Sequence, residues 1–186
     1  MRSLFLITLS GCLLTSLGFA GSIEGKASAN SVVYVDSIAG KNFPAPSQEP
    51  VVSQKGLAFV PHVLVVQKGA NVQFENDDNV QHNIFWPSVG GNKKYAHNLG
   101  TWPKGERRSF KFEEAGVVPL LCNVHAEMSG FIVVSPTPYF AQADAGGNYK
   151  IDNVPDGKYT LTAWHEGAKS QSKPVDVSGA AKADFN

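Results

Sequence analysis

A cysteine, a histidine and a methionine lie within seven residues of one another, at Cys122, His125 and Met128. A thiolate, an imidazole and a thioether are soft or borderline ligands, a set that suits copper far better than magnesium or calcium. An electron-transfer copper site takes two imidazoles and one thiolate in a roughly trigonal plane, with a weak methionine sulfur on its axis. The segment therefore supplies all but one of these ligands, and the second imidazole must come from elsewhere in the chain.

Four further histidines are candidates for that imidazole: His62, His82, His97 and His165. His82 is the best placed, because it follows a segment, Asn71–Asn76, whose alternating polar and apolar residues predict a strand. The turn-forming residues Asp77–Asn79 stand between the two. The other three histidines have no comparable support, and we expect them to be solvent or core histidines.

Other chemistries for Cys122 fit less well. A lone cysteine is commonly a small apolar core residue, but this one stands beside further metal ligands. A Cys–His protease needs a partner that orients its imidazole, and the loop supplies none. Attachment of c-type haem needs two cysteines before a histidine, and a dinuclear copper centre needs two thiolates. The remaining histidines do not outline a second, catalytic copper, so we expect a protein that is not an enzyme.

The first twenty residues have the features of a secretory signal peptide: a basic start at Arg2, an apolar run over residues 4–9, and small residues ahead of Gly21. Its removal leaves Cys122 as the only cysteine, so no disulfide can form within the mature chain. The Leu-Ser-Gly-Cys sequence ending at Cys12 is similar to the lipobox of bacterial lipoproteins, which makes a lipid anchor the alternative to cleavage after Ala20. We expect a periplasmic or secreted protein without a transmembrane segment in its mature form.

The composition indicates an all-β protein. The 186 residues carry 16 basic and 16 acidic side chains, and this balance argues against a nucleic-acid partner. Eighteen glycines and 11 prolines favour short strands joined by turns. We expect residues 40–50, with three prolines, to be a linker. Residues 51–135 contain about eight strand candidates, of which we allow one to be a loop, and this number is enough for a Greek-key sandwich. One candidate lies near Lys94, and we place His97 in a polar loop.

Residues 50–135 resemble the cupredoxins, the group of plastocyanin, pseudoazurin and amicyanin. The resemblance rests on four segments: Phe59–Pro61, Gly69–Asn76, His82–Phe85 and Cys122–Met128. It implies a Greek-key cupredoxin β-sandwich holding one type 1 copper, with His82, Cys122 and His125 as equatorial ligands and Met128 as the axial ligand. It also implies that Asn83 ties the two ligand loops together and that a neighbouring backbone N–H donates to the thiolate.

The function implied by this resemblance is that of an exported blue copper protein carrying single electrons between periplasmic redox partner proteins. Two features depart from many relatives: only two residues separate His125 from Met128, as in amicyanin, and Val124 stands where proline is common. Both affect the reduction potential. Two alternatives stay open: a periplasmic copper carrier or storage protein with the same ligands, and a partner-binding β-sandwich without redox traffic.

A second β pattern begins after the prolines at 136 and 138. Residues 144–164 are similar to the carboxypeptidase regulatory-like, transthyretin-like β-sandwich modules, which pair an Asp/Gly turn with a Pro-x-Gly-x-Tyr strand entry. Residues 139–186 supply only about four strands, and alone they would expose long unpaired edges. We therefore predict that residues 21–40 belong with this module and that the copper domain of residues 50–135 is inserted into it.

This arrangement predicts strand ladders from residues 31–35 to residues 157–165. We expect Val32 and Tyr34 to cover an apolar face carried by Tyr159, Leu161 and Ala163. The alternative is that the N-terminal segment adds an edge strand to the copper domain.

Overall fold

The computed structural model describes residues 20–185, so the predicted signal peptide up to residue 19, including Cys12, lies outside the described residues. Two strands come first, β1 (Ala20–Lys26) and β2 (Val32–Val35). The central strands are β3 (Val51–Gln54), β4 (Phe59–Val60), β5 (Val63–Gln67), β6 (Asn71–Asn76), β7 (His82–Trp86), β8 (His97–Trp102), β9 (Arg107–Lys111), β10 (Gly116–Leu121) and β11 (Ser129–Ser135). The last are β12 (Phe140–Gln142), β13 (Asn148–Pro155), β14 (Gly157–Trp164), β15 (Gln171–Val177) and β16 (Ala180–Lys182).

The chain is all-β over the described residues, with two β-sandwiches, as the sequence predicts. Strands β3–β11 form one sheet in the order β5-β11-β10-β7-β8 and a second in the order β4-β3-β6-β9. Their inward side chains build a core that includes Phe74 and Trp86, whose rings stack at 6.5 Å. Among residues 20–185 we find no helix with the length and apolar character needed to cross a membrane.

Strand β6 shows how the sequence sets this sandwich. Val72 and Phe74 are fully buried, whereas the alternate residues Asn71, Gln73 and Glu75 are only partly buried, as expected for a strand with one face on the core. Strand β6 has the same bounds, Asn71–Asn76, as the strand predicted from the sequence. It pairs in parallel with β3 and antiparallel with β9.

The strand candidate near Lys94 is the one that is not a strand, and the predicted loop at His97 is wrong. Lys94 lies in a 3₁₀ turn, Lys93–Tyr95, because the Asn92 side chain caps this turn by accepting from the Lys94 backbone N–H at 3.0 Å. His97 is not in a loop but begins β8, which pairs with β7 at the edge of its sheet. Most of β8 is exposed or half-buried, so its sequence carries no apolar alternation that could predict a strand.

Strands β1 and β2 precede the central strands in the chain but pair with strands that follow them. The predicted ladder from residues 31–35 is present: β2 pairs antiparallel with β14 and with β12. β1 pairs antiparallel with β13 and in parallel with β16. Two sheets result, β13-β1-β16 and β12-β2-β14-β15. Residues 139–186 supply five strands to these sheets, rather than the predicted four or so.

The predicted orientation of β2 is wrong. Val33 and Val35, not Val32 and Tyr34, pack with Leu161 and Ala163 in the core between these two sheets. Val32 and Tyr34 point the other way, because side chains alternate along a strand. Val32 and Tyr34 instead cluster with Phe131 and Val133, on the face of β11 that points away from the core of its own sandwich.

The two sandwiches are joined by a third apolar cluster, which we call the junction cluster. Val32, Trp164 and Val133 are its buried members. The Phe131 ring lies 5.2 Å from that of Trp164. An exposed polar contact, His62 Nε2 to Glu166 Oε2 at 2.7 Å, lies beside it; exposed pairs of this kind contribute at most about 1 kcal/mol. The two sandwiches are therefore held together mainly by the apolar side chains of the junction cluster.

Candidate metal centre

Three predicted ligands meet at one end of the copper domain. His82 is the first residue of β7, Cys122 follows the last residue of β10, and His125 lies in the loop that leads to β11. Because β10 runs antiparallel to both β7 and β11, these positions lie at the same end of the sheet. The ligand atoms of the three side chains all lie within 4.8 Å of one another.

The two histidines face each other through their Nδ1 atoms, which are 3.0 Å apart. Two nitrogen ligands about 2.0 Å from one metal ion lie roughly 3.3 Å apart in tetrahedral geometry. The spacing of His82 and His125 is therefore close to that of two ligands on a shared ion.

The site is largely closed to water. His82 is completely buried and Cys122 is 5% exposed, whereas His125 is half-buried. Met128 is buried in the copper-domain core, and its backbone N–H donates to the His125 carbonyl at 3.1 Å. That bond closes the loop into a tight turn.

Asn83 ties the loops around the site together. Its backbone N–H points at Cys122 Sγ at 3.4 Å, and its Oδ1 accepts from the Asn123 backbone N–H at 3.3 Å. Its Nδ2 donates to Asn98 Oδ1 at 2.9 Å and to the Gly100 carbonyl at 2.7 Å. The cysteine loop and β8 are thereby fixed to the strand that carries His82.

We expect Asn83→Ala to lower the free energy of unfolding of the copper domain by roughly 3 kcal/mol, because it removes three side-chain hydrogen bonds worth about 1 kcal/mol each. Urea unfolding of the metal-free protein measures this loss. Asn79→Ala is the matched control: Asn79 is exposed and accepts from Lys104 Nζ, and its loss should change stability by less than about 0.5 kcal/mol. Equal midpoints for the two variants would show that Asn83 does not hold the loops.

Two polar residues near the ligands were missed in the sequence. Asp78 Oδ2 lies 2.9 Å from His82 Nε2, and Gln54 Nε2 donates to the Asn83 carbonyl at 3.1 Å. Gln54 is fully buried, and its Oε1 has no hydrogen-bond partner among the described residues. For Asp78 a signal existed, since a carboxylate stands four residues before a candidate ligand in a segment interpreted only as a turn.

Hydrogen bonds keep the Asp78 carboxyl ionised. The backbone N–H of Leu57 is the largest influence that lowers its pKa below the ordinary value, and the Gly56 N–H and the His82 ring act in the same direction. Burial opposes them by raising the pKa. A carboxylate anion therefore faces the outer nitrogen of His82.

The remaining histidines lie away from this cluster. His62 is half exposed and pairs with Glu166, and His165 lines the same cavity as these two residues. His97 packs against the rings of Trp86 and Phe110. Within residues 20–185, His82, Cys122 and His125 are the one group of His, Cys, Asp or Glu side chains spaced closely enough to hold a metal ion.

The donor set fits copper. Two imidazoles and one cysteine sulfur, with a buried methionine next to their loop, are the ligands of electron-transfer copper sites. The cluster includes no carboxylate, the ligand that magnesium and calcium require.

Comparison with protein families agrees with this donor set. Residues 47–135 match the model described as copper binding proteins of the plastocyanin/azurin family. Residues 133–185 match the model described as polysaccharide lyase family 4, domain II, a different name from the transthyretin-like modules of the sequence prediction but also a β-sandwich. The comparison with curated proteins gives no match.

Solved structures similar to this chain include an amicyanin, a purple cupredoxin and a nitrite reductase. An oxidised amicyanin variant is 24% identical over 47% of this chain and 82% of its own, with a TM-score of 0.43. A purple cupredoxin from Nitrosopumilus maritimus is 27% identical over 47% of this chain and 100% of its own, with a TM-score of 0.42. A copper-containing nitrite reductase from Thermus scotoductus is 25% identical over 53% of this chain and 25% of its own, with a TM-score of 0.44.

Proposed function

We propose that the protein carries single electrons on one type 1 copper per chain and is not an enzyme, because residues 47–135 match the family model of plastocyanin/azurin copper-binding proteins. In this proposal His82, Cys122 and His125 would be the equatorial ligands and Met128 the axial one. The observation that carries the proposal is the meeting of the first three ligand atoms within 4.8 Å, with the His82 and Cys122 side chains buried.

The surroundings of the ligands support electron transfer. Bound copper supplies one-electron chemistry by alternating between Cu(II) and Cu(I). Asn83 fixes the cysteine loop, and the burial of His82 and Cys122 excludes water. The Asn83 backbone N–H at 3.4 Å from Cys122 Sγ spreads the negative charge of the thiolate. Ligands held in this way need to move little when the oxidation state changes, and a small rearrangement makes transfer fast.

The surface around the ligand loop suits brief contact with redox partner proteins. Val124, next to His125, is 49% exposed, and Val80 and Leu57, on either side of Asp78, are also exposed apolar residues. The proposal assigns contact with a redox partner to these exposed apolar side chains. The half-buried His125 ring lies next to Val124 and provides the point where electrons enter and leave.

The division of the chain and its location are parts of the same proposal. Residues 21–40 form one β module with residues 139–186, and the copper domain of residues 50–135 is inserted between them. Residues 1–20 direct export to the periplasm or beyond, with lipidation at Cys12 as the alternative to cleavage. The ladders of β1 and β2 with the last strands support the first statement.

Copper loading of the mature protein tests this function. We expect one copper per chain, an intense visible absorption, bleaching by ascorbate and full recovery with ferricyanide. A carrier or storage protein would bind copper without reversible colour, and a partner-binding sandwich would not bind it. Either result would overturn the electron-carrier proposal.

A further inference from the structure

Both carboxylate oxygens of Asp78 have hydrogen-bond partners next to the metal site. Its Oδ1 accepts from the Gly56 backbone N–H at 2.7 Å, and its Oδ2 accepts from the Leu57 backbone N–H at 2.9 Å. The same Oδ2 lies 2.9 Å from His82 Nε2, and the Asp78 backbone N–H donates to Asn76 Oδ1 at 2.9 Å. The carboxylate is therefore held from three sides and cannot turn away from the ring.

The turn that holds the carboxylate has an unusual backbone. Gly56 and Leu57 both have left-handed φ angles, +64° and +58°. Successive N–H groups that point to one side make a concave binding place for an anion. Leu57 adopts this conformation at a cost that glycine would not incur, so the contact with Asp78 offsets local strain.

This contact decides which nitrogen of His82 carries the proton. Both Asp78 oxygens already accept from backbone N–H groups, so the carboxylate acts as an acceptor here and His82 Nε2 is the donor. With the proton on Nε2, Nδ1 is the nitrogen that can bind a metal ion, and it faces His125 Nδ1 at 3.0 Å. His82 is fully buried, so water does not compete for either nitrogen.

We propose that Asp78 is a positioning residue that fixes the His82 ring and tautomer for copper and lowers the reduction potential of the site. The proposal rests on the electron-carrier function. A carboxylate that accepts from the outer nitrogen of a ligating histidine raises the basicity of the inner nitrogen. Cu(II) gains more from a basic ligand and a nearby negative charge than Cu(I), because its own charge is larger.

Asp78→Asn tests the proposal. The amide keeps the shape but removes the charge, and its single oxygen cannot serve donors on both sides. We expect Cu(II) affinity to fall about 10- to 100-fold, as for other partners of ligating histidines, with a smaller loss for Cu(I). Each tenfold difference between the two losses raises the potential by about 59 mV. Equilibrium redox titration of the copper-loaded variant measures this shift.

Asp77→Asn is the matched control. It removes the same charge one residue earlier, where the exposed carboxylate accepts from Ser53 Oγ at 2.6 Å. We expect a small change in potential that disappears in 1 M salt, where the screening length is about 3 Å. The change in Asp78→Asn should persist in 1 M salt. Equal potentials for the two variants would overturn the role of Asp78.

A second measurement needs no copper. Nitrogen-15 NMR of the metal-free wild-type protein should show a slowly exchanging proton on His82 Nε2 and an unprotonated Nδ1. A proton on His82 Nδ1 would overturn the proposal even if Asp78→Asn fails to fold. If wild-type protein shows no reversible colour, the electron-carrier function fails; if it does and Asp78→Asn matches Asp77→Asn, only the role of Asp78 fails.

Discussion

The Cys122→Ser variant is expected to lose the visible absorption of the copper-loaded protein completely while the fold is kept. The colour of a type 1 site arises from charge transfer between a thiolate and copper, and a serine hydroxyl does not supply it. Serine has nearly the same shape as cysteine, and its hydroxyl can still accept from the Asn83 backbone N–H. Optical titration with Cu(II) measures the loss of the visible absorption, and circular dichroism measures whether the fold is kept.

Met128→Gln is the matched control for this result, because it also changes a buried sulfur-containing side chain at the same loop. A weak axial thioether contributes much less binding than the thiolate or imidazoles. We therefore expect this variant to keep copper and colour, and to have a lower potential because an amide oxygen favours Cu(II). Colour in Cys122→Ser, or two coppers per chain, would contradict the thiolate assignment; failure of Met128→Gln to load would contradict the axial role.

The parts of the site that a sequence can predict are those set by short spacing. Cys122, His125 and Met128 share one loop, so their closeness follows from the chain itself. The choice of His82 as the second imidazole also required the strand pattern that precedes it in the sequence. The contacts of Asp78 could not be predicted, because its partners Gly56 and Leu57 stand more than twenty residues away and donate through their backbone. The type of a residue does not show that its backbone N–H will donate to a distant side chain.

The fold shows the same limit. Strand β6 was predictable because only one of its faces is buried. Strand β2 is apolar on both faces, and each face is buried in a different cluster, so its composition predicts a strand but not which side meets which neighbour. That is why Val32 and Tyr34 were assigned to the wrong neighbours. The edge strand β8 has too little burial to leave a pattern at all.

These two faces of β2 allow a direct test of the division into two units. Val33 is fully buried in the core of the second sandwich, and we expect Val33→Asp to unfold that module while the copper domain stays folded and coloured. A domain of this size is stable by roughly 3–10 kcal/mol, and an unpaired buried carboxylate costs several kcal/mol. Thermal unfolding followed by far-ultraviolet circular dichroism, with visible absorption for the copper domain, separates the two transitions.

Val32→Asp is the control, with the same change one residue away on the opposite face. Val32 is also fully buried, but in the junction cluster with Val133 and Trp164. Its carboxylate can reach water if the sandwiches separate, so both should stay folded while the radius of gyration from small-angle X-ray scattering increases. If Val32→Asp unfolds the module as fully as Val33→Asp, or if Val33→Asp also abolishes the colour, the chain does not consist of two separately stable units.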